Sequence, residues 1–372
     1  MFIPLSKPDL SDLEKKYVQD VLNSGLLSGG PKQKQFEDMI CQYTGRKYAV
    51  AMNSGTSALH VAVKALGLKA GDEVITTPYS FIASSNCLLY EGVKPVFVDI
   101  DYQTLNIDTT LIEMKVTART KAILPVHVFG QTCDMDAVRM IAEKYNLFVI
   151  EDACEALGAD WGKDKAGAMG DVGVYAFYPN KQITTGEGGV LVTNSKQIYQ
   201  YALSMRNQGR SDNNDELQHL YIGYNYRMSE MQAAIGVGQM ERLTEILSKR
   251  EQAAIRYLSL IKEYKLPVQT PFIHPMCNMS WFVFIVTLPV GTDRTETMLT
   301  LQKNGIQTKP YFPVIHLQKC YRDIFAYSKG DFPVSEQISL RTLAIPFHSN
   351  ITLLEQQYVI RHLADALEDA AC

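Results

Sequence analysis

Near the N-terminus the apolar positions recur every three or four residues, which predicts amphipathic helices over 9–23 and 32–44. Asp9 or Ser11 caps the first and Gly25 ends it, and the glycine-rich stretch 24–31 is a loop between the two. From residue 49 the period changes. Short apolar runs rich in β-branched residues, at 49–53, 73–77, 95–100, 122–129, 148–150, 172–178 and 189–193, read as strands. Helical stretches lie between them: one from the polar turn 53–57 to Gly67, with Leu59, Val63 and Leu66 apolar, then 135–145 and 199–206. Strands alternating with helices signal βαβ units, hence an α/β fold with a mostly parallel sheet in a three-layer arrangement.

Further along, 207–216 is polar and turn-rich and reads as a mobile surface loop. A long helix is expected over 229–263, with Ser229 as its cap and Glu230 in its first turn. Beyond about residue 245 the character shifts. An all-apolar strand at 281–288, a helix at 294–304, extended proline-broken segments at 308–316 and 343–348 and a closing helix at 353–367 describe a small α+β unit. The division expected is a large cofactor-type domain, 1–245, and a small C-terminal domain, 246–372.

Two stretches carry candidate chemistry. Lys181 lies on a tight connection, bent by Pro179 and three glycines, between the strands ending at Tyr178 and starting at Gly189. The strand 148–150 runs directly into Glu151, Asp152 and Glu155. A carboxylate at the end of a parallel strand, with a lysine on a nearby strand connection, suits pyridoxal phosphate: the lysine forms an imine and the carboxylate keeps the pyridine nitrogen protonated. A third stretch, Asn53 to Ser57, opens a helix with small hydroxyl residues and a glycine. Free N–H groups there favour an anion, although a plain Ser/Thr cap is the commoner use of such residues. Phe81, after the strand ending before Pro78, reads on its own as core packing, and His127 as a satisfied core histidine.

Bulk composition narrows the classes. The chain of 372 residues is 46% apolar and 20% charged, with a formal net charge of −4, so it has ample core and lacks the basic block that nucleic-acid binding requires. No apolar run approaches the roughly 18 residues needed to cross a bilayer, and the N-terminus lacks a basic region followed by an apolar one, so secretion is not indicated. Seven cysteines, without a Cys-x-x-Cys pair, read as free thiols in a reducing cytoplasm, with no metal or iron–sulfur site expected. Gly186-Glu-Gly-Gly lies between strands and is not a dinucleotide fingerprint.

Three runs carry a resemblance: Glu-Asp-Ala-Cys-Glu-Ala-Leu-Gly (151–158), Phe-Tyr-Pro-Asn-Lys-Gln-Ile-Thr-Thr-Gly-Glu-Gly-Gly (177–189) and Gly-Tyr-Asn-Tyr-Arg-Met-Ser-Glu-Met-Gln-Ala-Ala (223–234). With them the chain resembles, from about residue 3 to 360, the DegT-type (DegT/DnrJ/StrS) sugar nucleotide aminotransferases, pyridoxal phosphate enzymes of the aspartate aminotransferase fold (fold type I). The resemblance implies that Lys181 binds the cofactor as an imine and shuttles the proton. It implies that Asp152 meets the ring nitrogen, Glu155 lies beside the ring hydroxyl, and Phe81 stacks on the ring. It places the phosphate on Gly55, Thr56 and Ser57, with Asn225 reaching it from the neighbouring subunit of a homodimer. One position departs: many relatives carry a phosphate-binding serine five residues before the lysine, where this chain has Ala176.

By resemblance the amino donor is L-glutamate and the acceptor a nucleotide-linked keto-sugar. The run Ala-Ala-Ile-Gly-Val-Gly-Gln-Met-Glu-Arg (233–242) and the 223–228 motif are similar to perosamine synthases, which implies amination at C4 of a 4-keto-6-deoxyhexose linked to GDP, UDP or dTDP. Two other classes compete: a C3-aminotransferase or a dehydratase on the same fold, and a non-catalytic regulator. A retained Lys181 and the lack of a clustered cysteine motif weigh against the dehydratase branches, and an intact Lys181, Asp152 and phosphate turn weigh against the regulator.

Overall fold

A computed structural model describes residues 1–211 and 218–369. Seven strands form the central sheet: Tyr48–Met52 (β1), Glu73–Thr76 (β2), Lys94–Phe97 (β3), Thr120–Ile123 (β4), Phe148–Asp152 (β5), Val172–Ala176 (β8) and Gly189–Thr193 (β9). Their order is β1-β9-β8-β5-β4-β2-β3. Only β9 runs against the rest, pairing antiparallel with both β1 and β8, while β8, β5, β4, β2 and β3 are parallel. A parallel sheet needs helical crossovers that cover its faces, which is why its strands carry apolar residues on both sides. Val50, Val74, Ala122, Ile150, Val174 and Leu191 accordingly have no exposed surface.

The strands Asp160–Trp161 (β6), Asp164–Lys165 (β7) and Cys277–Asn278 (β10) form a small second sheet, and Phe284–Thr287 (β11) pairs antiparallel with Thr342–Ile345 (β12). The main apolar core is continuous from Val50 and Leu124 through Phe284 to Leu363. Ile3 pairs with Ile306, so the N-terminal segment packs with the C-terminal third of the chain.

Local signals explain the first helices. Helix α1, Asp12–Ser24, begins with a capping box: Ser11 accepts from the backbone while Glu14 reaches back to Ser11, and Gly25 closes it in the left-handed region. Helix α2, Pro31–Thr44, has Gly30 at its cap and no side chain there. The carboxylate of Glu230 serves instead, accepting from the N–H groups of Lys32 and Gln33. Helix α3, Gly55–Ala65, follows β1 directly.

Three expectations change. The helix expected over 229–263 is two helices, Glu230–Glu241 and Leu243–Glu263, broken at Arg242. There the guanidinium donates to the Asp9 carbonyl and carboxylate and to Glu14, tying both helices to the N-terminal segment. The strand expected over 281–288 is shorter, because Trp281 adopts φ 54°, outside the β region. The strand expected over 122–129 stops at Ile123, and His127 lies beyond it, fully buried. His127 Nδ1 accepts from the Cys133 N–H, so Nε2 carries the proton it shares with Glu151 at 2.9 Å. The polar stretch 207–216 is described only to residue 211, where Asn207 pairs with Asn225; its remainder lies outside the described residues, as does Cys372.

Candidate active site

Open α/β sheets present ligand sites at the C-terminal ends of their parallel strands. Here β1, β5 and β8 end together around a cavity of about 480 Å³. Asp152 is the last residue of β5. Its Oδ2 accepts from the Ser84 hydroxyl at 2.6 Å and its Oδ1 from the Cys154 N–H at 3.1 Å, so the carboxylate is fixed in the cavity wall.

Lys181 stands on the β8–β9 connection. That turn is held by Lys181 N–H to the Tyr178 carbonyl, by Thr185 N–H to the Phe177 carbonyl and by Gln239, which accepts from Thr184 N–H. The amine is 3.5 Å from Glu155 Oε1 and 4.0 Å from the centre of the Phe282 ring. Glu155 is buried rather than on a helix surface, and its Oε2 accepts from the Phe129 N–H. Burial pushes its carboxyl above the usual range, against the pull of Lys181 and that N–H. The neighbouring Glu151 belongs to the scaffold. Burial would raise its carboxyl, but the bond from His127 and the N–H groups of Gly170 and Met169 hold it below its ordinary value.

The start of α3 forms another wall. Ser54 caps the helix, taking the Ser57 N–H, and the N–H groups of Gly55 and Thr56 precede that bond at the helix's positive end. A Cβ on Gly55 would lie 2.6 Å from the Ala176 Cβ, so only glycine lets the helix start press on the end of β8. Ser54, Gly55 and Thr56 line the cavity, whereas Ser57 turns its hydroxyl to Asn53 and does not. Phe81 is on the wall with 62% of its surface exposed. Asn225 is exposed and lies outside this chain's cavity.

The structure adds residues that the sequence pattern did not mark: Ser84, Asn180, Phe282, Lys309, Tyr311 and Phe312. The last four come from the C-terminal third, in segments whose only sequence signal was apolarity or broken extension.

A scan against family models matches residues 8–364 to the DegT/DnrJ/EryC1/StrS aminotransferase family. The chain belongs to that family. It is 36% identical over 368 residues to the GDP-perosamine synthase of Caulobacter vibrioides, covering 98% of each. Among solved structures it is similar to Helicobacter pylori PseC, an aminotransferase of pseudoaminic acid biosynthesis, with TM-score 0.93 and 29% identity over 99% of this chain and 100% of that one. It is also similar to the pyridoxal phosphate form of the putative sugar aminotransferase Spr1654 from Streptococcus pneumoniae, with TM-score 0.95 and 25% identity over 100% of both chains. The fold is therefore that of the pyridoxal phosphate-dependent sugar aminotransferases, and pyridoxal phosphate is the cofactor of this aminotransferase.

The cavity fits that group on its own geometry. An amine, a fixed carboxylate and a helix N-terminus face one space, which answers the cofactor's aldehyde, ring nitrogen and phosphate. Asn180 Oδ1 is buried on the same wall without a hydrogen-bond partner, a polar atom that a bound ligand satisfies. Among the described residues, no group of His, Cys, Asp and Glu is arranged to hold a metal ion, and no helix is long and apolar enough to cross a membrane.

Proposed function

We propose that this aminotransferase moves the amino group of L-glutamate to C4 of a nucleotide-linked 4-keto-6-deoxyhexose, as a homodimer whose sites are shared. The observation that carries the reading is the Lys181 amine, 3.5 Å from Glu155 and in one cavity with Asp152 and the start of α3. When bound, pyridoxal phosphate supplies an electron-withdrawing ring that takes up the charge left when a proton leaves the donor's Cα.

The chain's own groups do the rest. Lys181 would anchor the cofactor and, when free, its amine would be the base that takes and returns the proton at the donor's Cα. Asp152, held by Ser84 and the Cys154 N–H, keeps a proton on the ring nitrogen. Glu155 sits at the ring-hydroxyl edge, its Oε1 3.5 Å from the Lys181 amine. Gly55 and Thr56 offer N–H groups to the phosphate, and Ser57 fixes that turn through its bond to Asn53. Phe81 covers the ring face. Asn225, exposed and outside the active-site cavity of its own chain, reaches the partner's phosphate. The similarity to GDP-perosamine synthases supports the choice of C4.

The test is a panel of GDP-, UDP- and dTDP-linked 4-keto-6-deoxysugars and 3-keto sugars, each assayed with glutamate on the purified protein, with Lys181→Ala as control. Amino-sugar formation from a 4-keto substrate, abolished in the control, is expected. Product from 3-keto sugars alone would sink the C4 assignment, and turnover in Lys181→Ala would sink the role of the lysine.

A further inference from the structure

The cavity wall contains two cations, Lys181 and Lys309. The first is engaged with Glu155 and, in the reading above, with the cofactor. The ammonium of Lys309 forms no ion pair among the described residues.

Its backbone is nonetheless held firmly. Lys309 exchanges both N–H···O bonds with Ala344 of β12, at 3.2 and 2.8 Å. Side chains two apart on an extended segment share a face, so Lys309 and Tyr311 project together. Tyr311 locates that face: its ring stacks at 6.4 Å from Phe282, and Phe282 is the ring under the Lys181 amine. Burial pushes the Tyr311 phenol up to about 12, so it keeps its proton, and its oxygen accepts from the Asn180 amide nitrogen. A fixed strand thus places one exposed lysine, without an ion pair among the described residues, and one phenol on the wall of the cavity that holds Lys181.

Any amino-acid donor must bring its Cα beside Lys181. Its carboxylate is one bond from that carbon, so it enters the same space and must be met there. A carboxylate taken partly out of water needs a cation and hydrogen-bond donors. The diphosphate of a sugar nucleotide is attached at C1, across the hexose from the reacting C4, and extends away from this point. We propose that Lys309 is the residue that binds the amino donor's carboxylate, with Tyr311 beside it as a neutral donor. This rests on the reading of the site as an aminotransferase centre.

The experiment compares wild type, Lys309→Ala and Lys309→Arg, each loaded with cofactor and checked for fold by circular dichroism. Glutarate, a dicarboxylate with no amino group to transfer, is titrated by calorimetry. The two half-reactions, with L-glutamate and with the accepted keto-sugar nucleotide, are then followed separately in single turnovers. Loss of one charge-assisted contact corresponds to about 10- to 100-fold weaker glutarate binding in Lys309→Ala, with Lys309→Arg nearer wild type. The glutamate half-reaction should fall at least about tenfold more than the sugar half-reaction. Glutarate binding unchanged in Lys309→Ala, absent in wild type, or a loss greater on the sugar side overturns the proposal. A wild type that binds glutarate through Lys309 but aminates no keto-sugar sinks the sugar reading and leaves this inference standing.

Discussion

The Ser84 hydroxyl donates to Asp152 Oδ2 at 2.6 Å, joining the helix after β2 to the last residue of β5. With the Cys154 N–H on Oδ1, both oxygens of the carboxylate are oriented before any ligand arrives. Pre-oriented charge costs no reorganisation during the reaction. Asp152→Asn, which cannot stabilise a protonated ring nitrogen, is expected to lose about two to three orders of magnitude in turnover. Ser84→Ala, which frees the carboxylate but keeps its charge, should lose about tenfold, the scale of one hydrogen bond to a charged group. Stopped-flow rates for both variants check this ordering; a larger loss in Ser84→Ala than in Asp152→Asn contradicts it.

Asn225 lies outside the cavity of its own chain, on a segment paired with Asn207. Ala176, the last residue of β8, has no hydroxyl to offer a phosphate. Asn225→Ala should therefore weaken cofactor retention and leave the fold intact. Mixed with Lys181→Ala protomers it should regain activity, because one site of each mixed dimer holds both residues. A mixture no more active than Asn225→Ala alone, after subunit exchange is verified, or an active monomer by sedimentation, removes the shared site.

Arg250 is fully buried, and burial lowers its guanidinium to about 10. Its Nε and Nη2 donate to the carbonyls of Trp281 and Phe282 at 2.9 and 2.6 Å. Those bonds hold the left-handed Trp281 and, one residue on, the ring against Lys181. Arg250→Met should cost about 2–4 kcal/mol, since two carbonyls lose charged donors, and should shift the pH profile of turnover as Phe282 loosens. Denaturant unfolding and a pH–rate profile measure the two effects. A destabilised variant with an unshifted profile would show that Arg250 serves packing alone.

Glu14 joins α1 to the helix break at Arg242. Burial opposes its ionisation, yet bonds from Ser11 and Gln239 lower its pKa to about 2 from an ordinary 4.5. A carboxyl depressed in this way stabilises the fold fully above its unfolded value, and that stability drains away as pH falls from 4.5 towards 2. Glu14→Gln should therefore cost about 1–2 kcal/mol at neutral pH. The gap to wild type should narrow on acidification, as unfolding midpoints between about pH 7 and pH 3 can record. A gap constant across that range would mean that shape, not charge, carries the contribution.

Local sequence determined much of this protein. The period of its apolar residues set the alternation of strand and helix. Ser11, Gly25 and Ser229 set helix ends, because capping needs only residues within a turn of one another. The strand running into Asp152 and the turn bearing Lys181 were legible for the same reason. Tertiary structure alone decided what stands around them. Ser84 meets Asp152 across 68 positions, Gln182 meets Ser280 across 98, and Arg242 meets Asp9 across 233. Phe282, Lys309 and Tyr311 reach the cavity because strand pairing with β12 and the left-handed turn at Trp281 aim them there. Period and propensity describe the chain's neighbours along its length. A charge without a counter-charge, or a break in a long helix, is set by groups that only packing brings within a few ångströms.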